Sequence, residues 1–474
     1  PLTMEHAING VVENPFFRRM NPNAAAGYGF IGSKKDYLPI VDEQPSKITR
    51  EAVCDLKAKV AEIFDCYDSG FSSNPINKTQ FKDEPRDIDK VAQGKTRLFY
   101  MAPIDFLVVC NMLFGPLLAL MVEHSSAFCC SIGINMYTGA DKLVKDLEKF
   151  SKLKFEGDYG SYDVRKPSQI HLAGLTYVYK ILEYFGYNHI ALNRCRGVIT
   201  DLFWPYITIC LDLFLAIITL SGGVGTTQLN SIDGVLMLMY YWYSNPNTQH
   251  LYFFDYVLPN TFGDDVLSSV KDLVAEDFNN ISYQEFCDKV YNMEFTTATK
   301  KGEMQKFLDI NTCSFLKRNF KFRKDLGIWV APLNYDSMLK TMDWFLPSKS
   351  ELFSNQVSNA FVSFLWDLFL HCEEKQFVRI RDKIHSLISN KFLQGEKIYL
   401  PSYSYIKARI LDLEVEEPND GKFGNCILWN DTNRIIIGEG RFSPLLGPTP
   451  LMVNPKSTME TNIIACLVCE SNSN

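Results

Sequence analysis

Two adjacent aspartates, Asp264 and Asp265, follow Gly263 in the run Thr261-Phe-Gly-Asp-Asp265. The flanking runs Leu251–Leu258 and Val266–Val270 are rich in aromatic and β-branched residues, so both read as strands joined at a hairpin tip. Two carboxylates at one turn repel each other unless a cation shares them, which makes the tip a candidate divalent-metal site. A second pair lies upstream, in Phe155-Glu-Gly-Asp158-Tyr-Gly-Ser-Tyr-Asp163, at the end of another expected strand. Carboxylates drawn from two strands suit a pair of Mg²⁺ ions about 3.5–4 Å apart. Nucleotidyl transfer needs such a pair, one ion activating a 3′-hydroxyl and the other holding triphosphate and leaving pyrophosphate. Asp158 and Asp264 are the expected bridging ligands, with Asp265 as an outer or additional one.

A third group is Ser221-Gly-Gly-Val-Gly-Thr226-Thr-Gln-Leu-Asn230-Ser231, a glycine-rich loop leading into a helix with an apolar face over 232–242. Its glycines allow close backbone approach, and Thr226 and Asn230, four apart, share one helix face. An amide and a carboxylate, Asn230 and Asp163, together can read a ribose 2′-hydroxyl, the group that separates RNA from DNA. The simpler reading is a flexible loop with an N-cap at Thr226.

In this order the three groups resemble motifs A, B and C of the viral RNA-dependent RNA polymerases: D-x4-D, SG-x3-T-x3-N and GDD. Phe262 stands where that family usually has tyrosine, which keeps the ring and drops only a hydroxyl. The run Lys82-Asp-Glu-Pro-Arg86-Asp-Ile-Asp-Lys90-Val-Ala-Gln-Gly-Lys95-Thr-Arg97 resembles motif F of the picornavirus-like (Picornavirales) members, which lines the nucleotide channel. A triphosphate needs fixed cations along its path, bidentate from arginine and point-like from lysine. Asp83, Glu84, Asp87 and Asp89 are expected to hold those cations apart and oriented. Phe315-Leu-Lys317-Arg318 resembles the motif E turn that grips the primer. Thr296-Thr-Ala-Thr-Lys300 resembles motif D, whose lysine protonates the departing pyrophosphate, with Lys301 as the neighbouring alternative. Ala24-Ala-Ala-Gly27-Tyr28-Gly29 resembles motif G, which guides the template, without its usual Ser/Thr and proline.

The resemblance runs from about 24 to 318 and implies an α+β fold. That fold is a cupped right-hand polymerase of fingers, palm and thumb, with an antiparallel palm sheet backed by helices. The expected division is fingers over 1–113, palm over 114–318 with a fingers insertion near 194–213, a helical thumb over 319–415, and an extension of open role over 416–474. The thumb segments 357–370 and 377–392 have helical periodicity. The segment 434–438 reads as a short strand. The resemblance also implies Mg²⁺ (Mn²⁺ being possible), an RNA template and primer, and ribonucleoside triphosphates held by Lys82, Lys90, Lys95, Arg97, Asp163, Ser221, Thr226 and Asn230. Gly27, Tyr28, Gly222, Lys317 and Arg318 are the residues it places on RNA. A small protein primer, other viral replication proteins and membrane-associated replication in the host cytoplasm follow from resemblance alone. Dicistrovirus-like and algal-virus-like relatives both fit.

Composition sets limits. At 474 residues the chain exceeds one compact core. A net charge of −7 argues mildly against non-specific nucleic-acid binding, but an enclosed channel needs only local positive charge. The 13 cysteines are scattered; Cys466-x-x-Cys469 has no second pair and no nearby histidine, so free thiols are expected rather than zinc. Two apolar runs, 104–122 and 202–220, are interrupted by charge, glycine or proline, and neither is expected to span a membrane. Opening at Pro1 suggests a polyprotein fragment lacking a fingertip segment. The rival readings are a reverse transcriptase, against which the Asp163/Asn230 pair argues, and an inactive RNA-binding module, against which the complete carboxylate set argues.

Overall fold

The computed structural model describes residues 1–413 except 13, 45–46, 85, 87, 301, 344–352 and 392–399, together with 427–430 and 434–437. Lys301, Asp87, Phe392, Cys466 and Cys469, and most of 416–474, lie outside the described residues. The chain divides into two compact units, one built mainly from 1–134 and 150–308, the other from 135–149 and 309–440.

The first unit is organised by a four-stranded antiparallel sheet. Its strand order is Val257–Phe262, Asp265–Val270, Leu153–Tyr159, Phe295–Thr296. Val257–Phe262 alternates buried and half-buried residues, as a strand with one covered face does. Asp265–Val270 and Leu153–Tyr159 are buried almost throughout because they lie centrally. Helix Thr226–Ser244 packs against the hairpin, and Phe155, Tyr159, Trp242, Phe253, Phe278, Tyr283 and Phe295 fill the aromatic core beneath it. The expected strand over 251–258 begins only at Val257, because Phe253–Tyr256 forms a helical turn. Phe253 is fully buried there against Trp242 and Phe278, a contact the local sequence does not announce.

A second sheet has the order Leu98–Met101, Ile76–Phe81, Tyr206–Ile209, Asp212–Leu215. Ile76–Phe81 and Tyr206–Ile209 run parallel, so the 206–215 hairpin joins the sheet that carries the basic run. Within 202–220 the backbone is therefore the end of a helix followed by two short strands. Helix Ile104–Glu123 is apolar on nearly every side and buried, as such helices must be in a folded chain. It is the one described helix long and apolar enough to cross a membrane, and 67% of that window is buried inside the protein. The described cysteines are free thiols.

The second unit is mainly helical. Helices Tyr335–Asp343, Phe353–His371, Glu374–Lys391 and Tyr403–Ile410 share a core of Phe364, Leu365, Phe369, Phe377, Tyr403 and Ile406. Residues 427–430 and 434–437 pair as an antiparallel hairpin.

Candidate active site

Register sets the carboxylates together. Asp265 pairs across the sheet with Asp158, and Asp264 occupies the turn that links Asp265 to Phe262. The turn needs Gly263, whose φ is +64°, in the left-handed region that glycine adopts without strain. It is braced from below, since Gly263 N–H donates to Ser231 Oγ (2.9 Å) and Thr261 Oγ1 donates to the Ser231 carbonyl (3.0 Å). Ser231 belongs to the helix that begins at Thr226, so the helix and the turn are one rigid piece.

The charges at the turn are strained against one another. Crowding by protein, then the neighbouring Asp158 and Asp163 carboxylates, push Asp264 up to about 6. Asp158 is 7% exposed, and its buried Oδ1 has no hydrogen-bond partner among the described residues. Its Oδ2 is met by the Lys300 ammonium at 2.5 Å. Burial opposes the Lys300 charge, but Asp158, then Asp264 and Asp265, hold its pKa above the ordinary lysine value. Among the described residues no three carboxylate, imidazole or thiol groups are placed together as a ready-made metal site. The donor set nevertheless fits a divalent cation, because an orphaned buried carboxylate oxygen and a proton-attracting aspartate face one lysine. Lys300 stands against Asp158 where a cation's charge is wanted.

Asp163 and Asn230 are brought together as their types required. Asp163 follows the strand on the short helix Tyr162–Arg165, and Asn230 Nδ2 donates to its Oδ1 at 2.8 Å. Thr226 is not the N-cap; Gly225 holds that position with φ +71°. The Thr226 hydroxyl instead donates to the carbonyls of Leu220 (2.6 Å) and Gly223 (3.1 Å), tying the loop to the helix start. Ser221 is exposed, its Oγ 3.5 Å from the Leu98 carbonyl. Gly222, expected on RNA, uses its missing side chain differently: a Cβ there would lie 2.0 Å from the Tyr100 carbonyl.

The basic run is exposed apart from the half-buried Arg86, and is gathered rather than separated. Arg97 Nε donates to Glu84 Oε1 (2.6 Å) and its second nitrogen to Oε2, while Arg86 (3.2 Å) and Lys82 (3.8 Å) pair with the same carboxylate. The Arg97 hydrogen bond is the largest of the causes that hold the Glu84 carboxyl below the ordinary carboxylate value. Lys90, in the short helix Ile88–Ala92, and Lys95, just after it, are exposed. Near the start of the chain, Gly27 takes φ +96° and Tyr28 is exposed. In the second unit, Lys317 is exposed at a turn, but Arg318 is engaged internally. It donates to Asp367 (2.9 Å) and the Ala331 carbonyl (2.9 Å) and stacks on Tyr137.

A family described as viral RNA-dependent RNA polymerase matches residues 2–380. The chain belongs to that family. Relatives of the chain include the replicase polyprotein of Drosophila C virus, 24% identical over 76% of this chain and 22% of that protein. The cricket paralysis virus replicase polyprotein is 23% identical over 85% of this chain and 24% of its own length. The genome polyprotein of Ljunganvirus 1 is 28% identical over 67% of this chain and 13% of its own. The chain thus spans less than a quarter of the length of these polyproteins. Among solved structures, the Sicinivirus 3Dpol RNA-dependent RNA polymerase aligns with a TM-score of 0.71 at 19% identity, over 87% of this chain and 80% of that one. The polymerase fold, α+β with its antiparallel sheet, is therefore shared.

Sequence reasoning missed the charged residues behind the Asp163–Asn230 pair. Lys166, His171 and Asp233 are buried and linked to Asn230. The available signal was Asp233 itself, a carboxylate inside the apolar face of the 226–244 helix, one turn beyond Asn230.

Proposed function

We propose that this chain synthesises RNA on an RNA template from ribonucleoside triphosphates, by nucleotidyl transfer at the Asp158/Asp264/Asp265 cluster. The observation that carries the reading is the register that pairs Asp265 with Asp158 beneath the Asp264 turn. Asp158 and Asp264, with Asp265, are the residues that would hold two Mg²⁺ ions, or Mn²⁺. Such ions supply an activated 3′-hydroxyl and neutralise charge on the triphosphate and pyrophosphate.

The chain's own residues do the rest. Asp163 and Asn230 meet the ribose 2′-hydroxyl. Arg97, Lys82, Lys90 and Lys95 guide the triphosphate, with Glu84 presenting Arg97 and Lys82 in one cluster. Thr226 and Ser221 keep the loop in reach of the nucleotide. Lys300, paired with Asp158 here, would leave it and donate its proton to the leaving pyrophosphate, an ordinary lysine being charged at neutral pH. Lys317, Gly27 and Tyr28 are offered to RNA, whereas Arg318 anchors its own turn through Asp367. In this reading the fingers cover 1–113, the palm 114–318 with its insertion near 194–213, and the thumb 319–415. A protein primer, other replication proteins and cytoplasmic replication membranes are the partners the family suggests.

Incorporation of UTP against dTTP on an RNA hairpin tests the proposal. Preferred UTP addition supports it, whereas preferred dTTP addition makes the chain a reverse transcriptase. RNA binding with no product under Mg²⁺ makes it an inactive module.

A further inference from the structure

We propose that Lys166 is a positioning residue for ribose selection, acting through Asn230. This rests on the reading that Asn230 and Asp163 meet the ribose. An asparagine amide donates from its nitrogen and accepts at its oxygen, so its orientation follows from its neighbours. Here the Asn230 oxygen accepts from Lys166 Nζ at 2.9 Å, while its nitrogen donates to Asp163 Oδ1 at 2.8 Å. A reversed amide would set N–H against an ammonium and C=O against a carboxylate. The cation on one side and the anion on the other therefore fix a single amide orientation.

Lys166 is itself held on every side. It donates to Thr219 Oγ1 (2.8 Å), pairs with Asp233, and lies 5.2 Å from the centre of the Tyr162 ring. Asp233 Oδ2 also meets His171 Nδ1 at 2.9 Å. The Lys166 and Asp233 side chains are 2% and 0% exposed. The backbone closes the same knot: Tyr162 Oη donates to the Asn230 carbonyl (3.0 Å), and Thr219 N–H donates to that of Asp163 (3.1 Å). Helix Ser168–Tyr184 makes room for the pair at Gly174, where a Cβ would lie 1.9 Å from Asp233 Oδ1. A buried ion pair adds little net stability over apolar residues of the same shape, so its place directly behind Asn230 points to orientation.

The test is the ratio of UTP to dTTP incorporation, as kcat/KM, in Asn230→Ala, Lys166→Met, the pair Lys166→Met with Asp233→Leu, and that pair combined with Asn230→Ala. Lys166→Met alone leaves the buried Asp233 with only His171 against its Oδ2 and is prone to misfold. The paired change removes both charges at similar volume and keeps the test valid. The paired variant is expected to lose about tenfold of the ratio, mostly through a higher KM for UTP. In the Asn230→Ala background it should add nothing, because its effect runs through that amide. A folded paired variant with the parental ratio, while Asn230→Ala lowers it, overturns the proposal. So does an additive loss in the combined variant. If Asn230→Ala keeps the parental ratio, the ribose reading itself fails and the role of Lys166 falls with it.

Discussion

Lys166 and Arg97 are both cations held by a carboxylate, yet the Lys166 side chain is 2% exposed and that of Arg97 59%. Around Lys166 three elements lock a buried network behind Asn230. Around Arg97 one carboxylate, Glu84, gathers three cations at the surface. The two ends of the incoming nucleotide would meet opposite designs. Reading one hydroxyl requires a fixed amide, and desolvated charges at short distance supply that rigidity. Receiving a triphosphate requires cations that can turn from Glu84 toward phosphate, and the solvent-exposed Lys82 and Arg97 side chains allow it. The carboxylate turn lies between these extremes, with a rigid backbone and an ammonium that can move.

The comparison breaks first at Lys166. Lys166→Met should destabilise the first unit by about 3–5 kcal/mol, measured by denaturant unfolding, because it strands a buried carboxylate. A loss below about 1 kcal/mol, typical of exposed pairs, would remove the contrast. Lys300→Gln should lower kcat by about a hundredfold while lowering the Mg²⁺ concentration needed for half-maximal activity, since it frees Asp158 and removes the proton donor. An unchanged or higher Mg²⁺ concentration at half-maximal activity would mean that Lys300 does not compete with the cation. Glu84→Gln should change stability by less than about 1 kcal/mol and raise the triphosphate KM several-fold, about 1 kcal/mol in binding.

The smallest effect is pH-linked. Asp264 is raised to about 6, so the folded state holds its proton more tightly than the unfolded chain does. That contribution favours folding at low pH and is lost as pH rises from the ordinary carboxylate range through about 6. Without divalent cations, Asp264→Asn should therefore be more stable than the parent at pH 7, by about 1 kcal/mol after solvent screening, and equal to it at pH 3. Thermal melts at both values decide this; an equal difference at both would contradict the linkage.

Much of the site was legible because its residues act through short spacings. The Gly263 turn and the aspartates follow from local order plus one sheet register, whereas the Asp163–Asn230 pair spans 67 residues and rests on helix packing. The helical turn at Phe253 was not legible, since a short aromatic run suits strand and helix alike and burial against Trp242 decides between them. Arg318 could not be told from an RNA-binding arginine because its partner, Asp367, lies on a distant helix. Glu84 was expected to separate the basic groups, and only the folded loop brings Lys82, Arg86 and Arg97 onto it. Lys166 and His171 carried no signal of their own, because their meaning depends on Asp233 across a helix interface.

The most direct measurement is single-nucleotide extension of an RNA hairpin in Mg²⁺ by the parent and by Asp264→Asn, at matched RNA occupancy. The account predicts extension by the parent and a loss on the order of a thousandfold in the variant, with RNA binding retained. Equal extension by both would place the chemistry away from the Gly263-Asp264-Asp265 turn and contradict the account.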